Sequence, residues 1–136
     1  MINNLHSLRH PETDWMPNLI GPDEKPLLDV LVVGAGQGGL GIAGTLMRER
    51  VTNILVIDKE PRGKEGIWHS HGRMPVIRSP KHYPGPDMGI PNLTYEAWHS
   101  AAYGNKSWEA TKLIPINNWT KYLAWLRQTL NIPVQN

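Results

Sequence analysis

The chain has 136 residues, enough for a domain with its own core, and carries a formal net charge of +2 with a pI near 9.0. Its Lys and Arg are scattered among acids rather than gathered in a run, which argues against a nucleic-acid partner. With no cysteine in the sequence, structural disulfides, thiolate nucleophiles and Cys-ligated metal are excluded.

Residues 1–27 are polar and interrupted by Pro11, Pro17, Pro22 and Pro26, so they read as an irregular arm, with Trp15, Met16, Leu19 and Ile20 available to pin it to the surface. The start, MINNLHSLRHPETDW, lacks the secretory pattern of a basic start followed by an apolar core. No apolar stretch approaches the ~20 residues of a membrane span. A soluble cytoplasmic protein with no membrane partner is the expectation.

The remainder, residues 28–136, reads as one α/β unit organised around residues 28–58. An apolar, β-branched run ending in Leu31, Val32 and Val33 predicts a strand covered on both faces, as parallel strands require. It stops at a cluster of five glycines within residues 34–41, a small-residue helical pattern follows, and a second apolar run at 54–57 ends on Asp58. This is the pattern of a β–α–β unit that holds a dinucleotide. The glycines fit G-x-G-x-x-G in two phases, Gly34/Gly36/Gly39 or Gly36/Gly38/Gly41. The first is preferred because it puts a glycine directly after the strand. In that phase Gly34 turns the chain, Gly36 lets the backbone approach a pyrophosphate, and Gly39 lets the helix pack close to the sheet. Gly41 and Gly44 then serve the packing of the helix on the two strands. The helix start aims free N–H groups and its positive dipole end at phosphate. Asp58, nineteen positions after Gly39, stands where an acid accepts the adenosine ribose hydroxyls.

Residues 59–91 contain six prolines, which forbid a long helix and leave at most a short strand at 76–77. A loop of that length is more often functional than idle, and it holds Trp68, His69, His71, Arg73, Arg78, Lys81, His82 and Tyr83. His69 and His71 have a spacing some metal sites use, but no third ligand accompanies them, so no metal is assigned. A short helix is predicted over 94–103, with Thr94 as N-cap and Gly104 closing it. Residues 113–115 suggest an extended link. Asn117 or Asn118 then caps a helix whose apolar face is Trp119, Tyr122, Leu123, Leu126 and Leu130. Pro133 stops that helix and Val134 begins another strand. The six tryptophans are read mainly as core.

With these residues in place, the sequence resembles the two-dinucleotide-domain flavoproteins, particularly flavin-containing and Baeyer–Villiger monooxygenases. DVLVVGAGQGGLGIAGTL looks like their N-terminal FAD fingerprint, and ILVIDKEPRGKEGIW looks like the strand, ribose acid and Gly-x-Trp segment that follow it. The resemblance implies that Gly34, Gly36 and Gly39 frame the FAD pyrophosphate while Gln37 and Gly38 offer backbone N–H groups. It further implies that Asp58 takes the ribose, that Lys59 lies beside the adenosine, and that Gly66 and Trp68 lie near the flavin. Arg78 falls near an arginine that stabilises a flavin peroxide in the Baeyer–Villiger enzymes, although Ser79 and Pro80 stand where the usual acid would follow; a solvated loop arginine is the alternative.

No second G-x-G-x-x-G follows Gly44, and the late Gly-Asp motif, the monooxygenase signature and a substrate domain are not present in these residues. The expected fold is therefore a Rossmann-like βαβ FAD-binding fold, incomplete, comprising a parallel sheet with few strands, a long Pro-rich loop and a C-terminal amphipathic helix. The expected function is an FAD-binding N-terminal segment of a monooxygenase-like oxidoreductase, not catalytic as this short chain, with no catalytic residue assigned and NADPH expected only for a full-length relative. Two alternatives are an NAD-binding dehydrogenase domain, since Asp58 suits NAD equally well, and a non-catalytic truncated remnant with too few strands to cover its sheet.

Overall fold

In the computed structural model, which describes Ser7 and residues 11–136, the two apolar runs form strands β1 (Val30–Val33) and β2 (Ile54–Ile57). They pair in parallel, from Val30 opposite Ile54 to Val33 opposite Ile57. Between them runs helix α1 (Gln37–Arg48). After two single turns of 3₁₀-helix, Ile67–His69 and Pro91–Leu93, come α2 (Tyr95–Tyr103), α3 (Asn105–Ala110), α4 (Ile116–Leu130) and β3 (Val134–Gln135). Strand β3 adds in parallel to β2, Val56 opposite Val134, giving the sheet order β1-β2-β3. The result is the Rossmann-like α/β arrangement with few strands that the sequence predicts. Among the described residues no helix is long and apolar enough to cross a membrane.

The strands alternate in burial because successive side chains leave opposite faces of the pleat. Val32, Ile54 and Val56 are buried in one core cluster with Leu40 and Ala43 of α1 and Leu123 and Leu126 of α4. Each of these leucines contributes roughly 1.5–3 kcal/mol by leaving water. On the other face Leu31 and Val33 are 52% and 78% exposed. The expectation of a strand covered on both faces is met on one side only among the described residues. The strand also begins at Val30 rather than at residue 28.

Helix α2 is capped as predicted. Thr94 Oγ1 accepts from the Ala97 N–H at 3.2 Å, and Gly104, at φ 86°, closes the helix. Gly104 also starts α3, a helix the sequence pattern did not disclose. The predicted capping of α4 by Asn117 or Asn118 is not found. The helix begins at Ile116 with Pro115 at the N-cap and no side-chain cap, and the N–H groups of Asn118 and Trp119 both donate to the Pro115 carbonyl. Ile116 is buried, which favours drawing this turn inward. The helix ends at Asn131 in the left-handed region, φ 50°, two residues before Pro133. The predicted stripe of Trp119, Tyr122, Leu123, Leu126 and Leu130 is the buried face. The segments at 76–77 and 113–115 meet in one antiparallel bridge, Val76 to Pro115, rather than as a strand of the sheet.

Residues 1–6 and 8–10 of the expected arm lie outside the described residues. Its later part is held chiefly by polar bonds: the Trp15 indole donates to the Glu49 carbonyl at 2.8 Å, Thr52 bonds Asp14, and Asn53 donates to the Leu27 carbonyl. Met16 packs on the core, whereas Trp15, Leu19 and Ile20 stay more than half exposed.

The aromatic residues do fill the core, around Tyr95, whose ring lies 5.4–5.5 Å from those of Trp98, Trp119 and Tyr122. One polar ring is enclosed with them. His99, 2% exposed, is hydrogen-bonded on both nitrogens, Nδ1 to the Tyr95 hydroxyl at 3.2 Å and Nε2 to Ser107 Oγ at 3.0 Å. Burial, with the Lys81 charge adding, lowers its pKa from 6.5. The unfolded chain therefore binds this proton more readily than the folded one, and the stability present above pH 6.5 is lost as pH falls below it. Urea melts should show wild type weakening as pH falls below 6.5, and His99→Gln, which has no imidazole to protonate, should lose that component of the slope; an identical slope in both would remove His99 as its source.

Candidate dinucleotide site

The turn between β1 and α1 is built on glycine for three separate reasons. Gly34 has φ 101°, a left-handed conformation that disfavours any Cβ. At Gly36 an added Cβ would come within 3.0 Å of Gly66 Cα, and at Gly39 it would collide with the carbonyl oxygen of Gly34. At Gly38 it would meet nothing within 4 Å, and at Gly41 only Pro86 at ordinary contact distance. The steric demand thus falls on Gly34/Gly36/Gly39, the preferred phase. One expectation needs correction: Gly44 is small to admit Met88 and Leu130, whose Sδ and Cδ1 would lie 2.5 and 3.2 Å from a Cβ there, rather than to approach the strands. Gly36, for its part, has the Gly66 backbone pressed against it.

Asp58 closes the turn. Its Oδ2 accepts from the Ala35 N–H at 2.6 Å and its Oδ1 from the Glu60 N–H at 2.8 Å. The carboxylate expected to face a ribose therefore also ties the end of β2 to the glycine turn, with lone pairs left over, since an ionised carboxylate offers about four acceptor positions. The first intrahelical bond of α1 runs from Leu40 N–H to the Gly36 carbonyl, so the N–H groups of Gln37, Gly38 and Gly39 precede it and form the positive end of the helix.

The predicted residues meet at this turn but line different clefts. Gly34, Asp58, Lys59 and Gly66 line one of about 590 Å³ with Val33 and Ile57. Gly36 and Trp68 line a second of about 420 Å³ between the turn, the 62–69 loop and α4. Gln37 and Gly38 line a third of about 540 Å³ beside Pro84, Gly85 and Pro86. Gly39 lines none of the three. Gln37 also accepts from the Trp119 indole at 3.2 Å, and Lys59 is exposed with a loose 3.8 Å pairing to Glu60. Arg78 is exposed and lines none of these clefts. His71 bonds its neighbour Ser70 at 2.8 Å, and among the described residues no three His, Asp or Glu side chains gather to hold a metal ion.

Two polar groups near the turn escaped sequence reasoning. Asp87, 5% exposed, accepts from the N–H groups of Gly85 at 3.0 Å and Gly89 at 2.9 Å. It thereby shapes the loop that carries Met88 onto α1, where Arg48 bonds the Met88 carbonyl at 2.7 Å; the Gly-Pro-Asp-x-Gly string is the legible signal of that turn. Glu65 pairs with Arg127 of α4, their side chains only 8% and 15% exposed. Burial alone would raise the Glu65 carboxyl, but hydrogen bonds from its own backbone, from Asn136 and from Gly63, with the Arg127 charge, outweigh it and hold the pKa below 4.5. No local pattern announces a partner 62 residues away.

Comparison with known proteins gives the same picture. The chain is 43% identical over 134 residues to an FAD-dependent urate hydroxylase of Xanthomonas campestris pv. campestris, a match covering 98% of this chain and 28% of that protein. It is 34% identical over 86 residues to the sarcosine oxidase subunit beta of Rhizobium meliloti, covering 62% of this chain and 19% of the relative. The chain thus spans about a quarter or less of these relatives' lengths. No solved structure matches it. A family model described as FAD-NAD(P)-binding matches residues 31–135, from β1 through the glycine turn and Asp58 to β3, and the chain belongs to that family.

Proposed function

We propose that this chain is the FAD-binding segment of a flavin-dependent oxidoreductase of hydroxylase or monooxygenase type, and that residues 28–136 form the first part of its FAD-binding domain. The observation that carries the reading is the glycine turn itself. Gly34 takes a left-handed φ, Gly36 and Gly39 have backbone where a Cβ would go, the N–H groups of Gln37, Gly38 and Gly39 precede the first intrahelical bond, and a carboxylate sits on the turn from the end of β2. This is the donor and acceptor set that a pyrophosphate joined to a ribose needs. In this reading Gly34, Gly36 and Gly39 frame the pyrophosphate and the N–H groups of Gln37 and Gly38 donate to it. Asp58 accepts from the ribose hydroxyls, Lys59 lies beside the adenosine, and Gly66 and Trp68 bound the cofactor on the loop side. FAD, when bound, supplies the redox chemistry; these residues bind and orient it.

The turn by itself suits NAD as well. FAD is favoured by the Gly66 and Trp68 segment and by 43% identity, across nearly the whole chain, to a protein named as an FAD-dependent hydroxylase. Hydroxylation of a urate-like heterocycle is the corresponding proposal for the activity, and it needs a reductant and a substrate site that these residues do not supply. Titration of the purified chain with FAD is expected to give saturable uptake that survives desalting and is not displaced by excess NAD. Absence of uptake, or displacement by NAD at comparable concentration, would overturn the FAD reading.

A further inference from the structure

Glu65 lies next to Gly66, whose backbone presses on the glycine turn. Gly66, at φ 78°, has its Cα against Gly36, so that a Cβ on either would fall 2.9–3.0 Å from the other's Cα. This contact stands where the cleft lined by Gly34 and Asp58 meets the cleft lined by Gly36 and Trp68. Two glycine backbones in such contact have no side chains to interlock, so the position of Gly66 must be fixed from outside.

Glu65 supplies that fixing through three elements. Its carboxylate pairs with Arg127 on α4, accepts from the Gly63 N–H at 2.6 Å, and accepts from the Asn136 amide at 2.9 Å just beyond β3. Asn136 also donates to the Glu60 carbonyl at 2.7 Å, next to the Glu60 N–H that bonds Asp58. The loop between Asp58 and Trp68 is therefore tied to the Asn136 carboxamide at both Glu60 and Glu65, and at Glu65 to the Arg127 guanidinium as well. An ion pair this enclosed is costly to form from solvated charges, and breaking one partner away leaves the other buried without compensation. An exposed loop has no need of such a pair for solubility. A loop whose backbone must meet a glycine turn in one register does.

We infer that Glu65 and Arg127 are positioning residues for the dinucleotide site: the pair clamps Gly66 against Gly36 and so sets the shape of the glycine turn that receives the cofactor. The inference rests on the FAD reading for the identity of that cofactor, while the clamp itself is a property of the unliganded chain. Arg127 belongs to the helix that precedes β3 and Asn136 follows that strand, so the Glu65 carboxylate links the loop after β2 to both flanks of β3.

The test is amide hydrogen exchange together with FAD titration on the full chain, comparing wild type with Glu65→Gln, Arg127→Met and Arg127→Lys. Glu65→Gln and Arg127→Met are expected to speed exchange at the Gly34 and Ala35 amides at least tenfold while leaving those of Leu46 and Met47 in α1 unchanged, and to weaken FAD binding about tenfold. Arg127→Lys keeps the charge and is expected to restore most of both. Unchanged turn amides in the two charge-removing variants would overturn the inference. So would equal acceleration throughout the chain, which would make the pair a general brace. If the turn amides respond as expected but wild type takes up no FAD, the clamp stands and the FAD reading falls.

Discussion

Gly39→Ala is expected to disrupt the β1–α1 turn and cost more than about 3 kcal/mol, whereas Gly38→Ala, one residue earlier in the same helical turn, is expected to be neutral or stabilising by up to about 1 kcal/mol. At Gly39 the new methyl would run into the Gly34 carbonyl oxygen, a backbone atom with no rotamer to escape into, with Val32 Cγ1 at 3.4 Å behind it. Gly34 cannot move aside readily, because its N–H is bonded to the Ile57 carbonyl at 2.7 Å and its φ of 101° already uses glycine's freedom. A loss of that size is a large share of the roughly 5–15 kcal/mol that stabilises a typical domain. At Gly38 the methyl meets nothing within 4 Å and removes some backbone entropy from the unfolded chain. Urea titration of the two variants beside wild type measures the difference. Equal midpoints for Gly39→Ala and wild type would mean that the glycine is not there for steric reasons.

Much of this was legible in the sequence because its signals are local. The glycine phase, the two strands, the Thr94 cap and the Trp119 to Leu130 face all follow from spacing within one or two turns of chain. What escaped depended on groups distant in sequence. The start of α4 at Pro115 follows from the burial of Ile116 against residues it meets only in the fold, and an asparagine capping preference is too weak to oppose it. The open face of β1 runs against its own letters: a uniform apolar run is the pattern of a strand covered on both faces, yet Leu31 and Val33 are exposed among the described residues. The Glu65–Arg127 pair joins a proline-rich loop to a helix 62 residues later, and in sequence each looks like a surface charge. In the candidate site the resemblance names Gly36 and Gly66 separately, and the fold brings their backbones into contact, which makes them one coupled position.

Asp58→Asn is the substitution expected to separate folding from cofactor recognition most clearly. Removing the side chain with Asp58→Ala would leave the Ala35 and Glu60 N–H groups without acceptors, and with charge-assisted bonds worth about 1.5–3 kcal/mol each, discounted for a half-buried site, the loss should be about 2–4 kcal/mol. Asparagine keeps one acceptor oxygen and nearly the same shape, so it can hold one of the two amides, and its cost should be about half as large. The cofactor sees a different change. In the proposed reading the carboxylate uses its remaining lone pairs on two ribose hydroxyls, and the amide nitrogen of asparagine donates where a hydroxyl needs an acceptor. FAD binding by the folded Asp58→Asn chain should therefore weaken about a hundredfold, equivalent to about 2.7 kcal/mol, a larger penalty than its loss of stability. Calorimetric or absorbance titration beside urea melts of the same variant measures both. Wild-type affinity with lowered stability would leave Asp58 as a clasp for the turn alone; lowered affinity with unchanged stability would mean that the bonds to Ala35 and Glu60 contribute little. If both fall in the expected proportion, one carboxylate shapes the glycine turn and recognises what binds there, so that the cost of orienting it is met in folding rather than at the moment of binding.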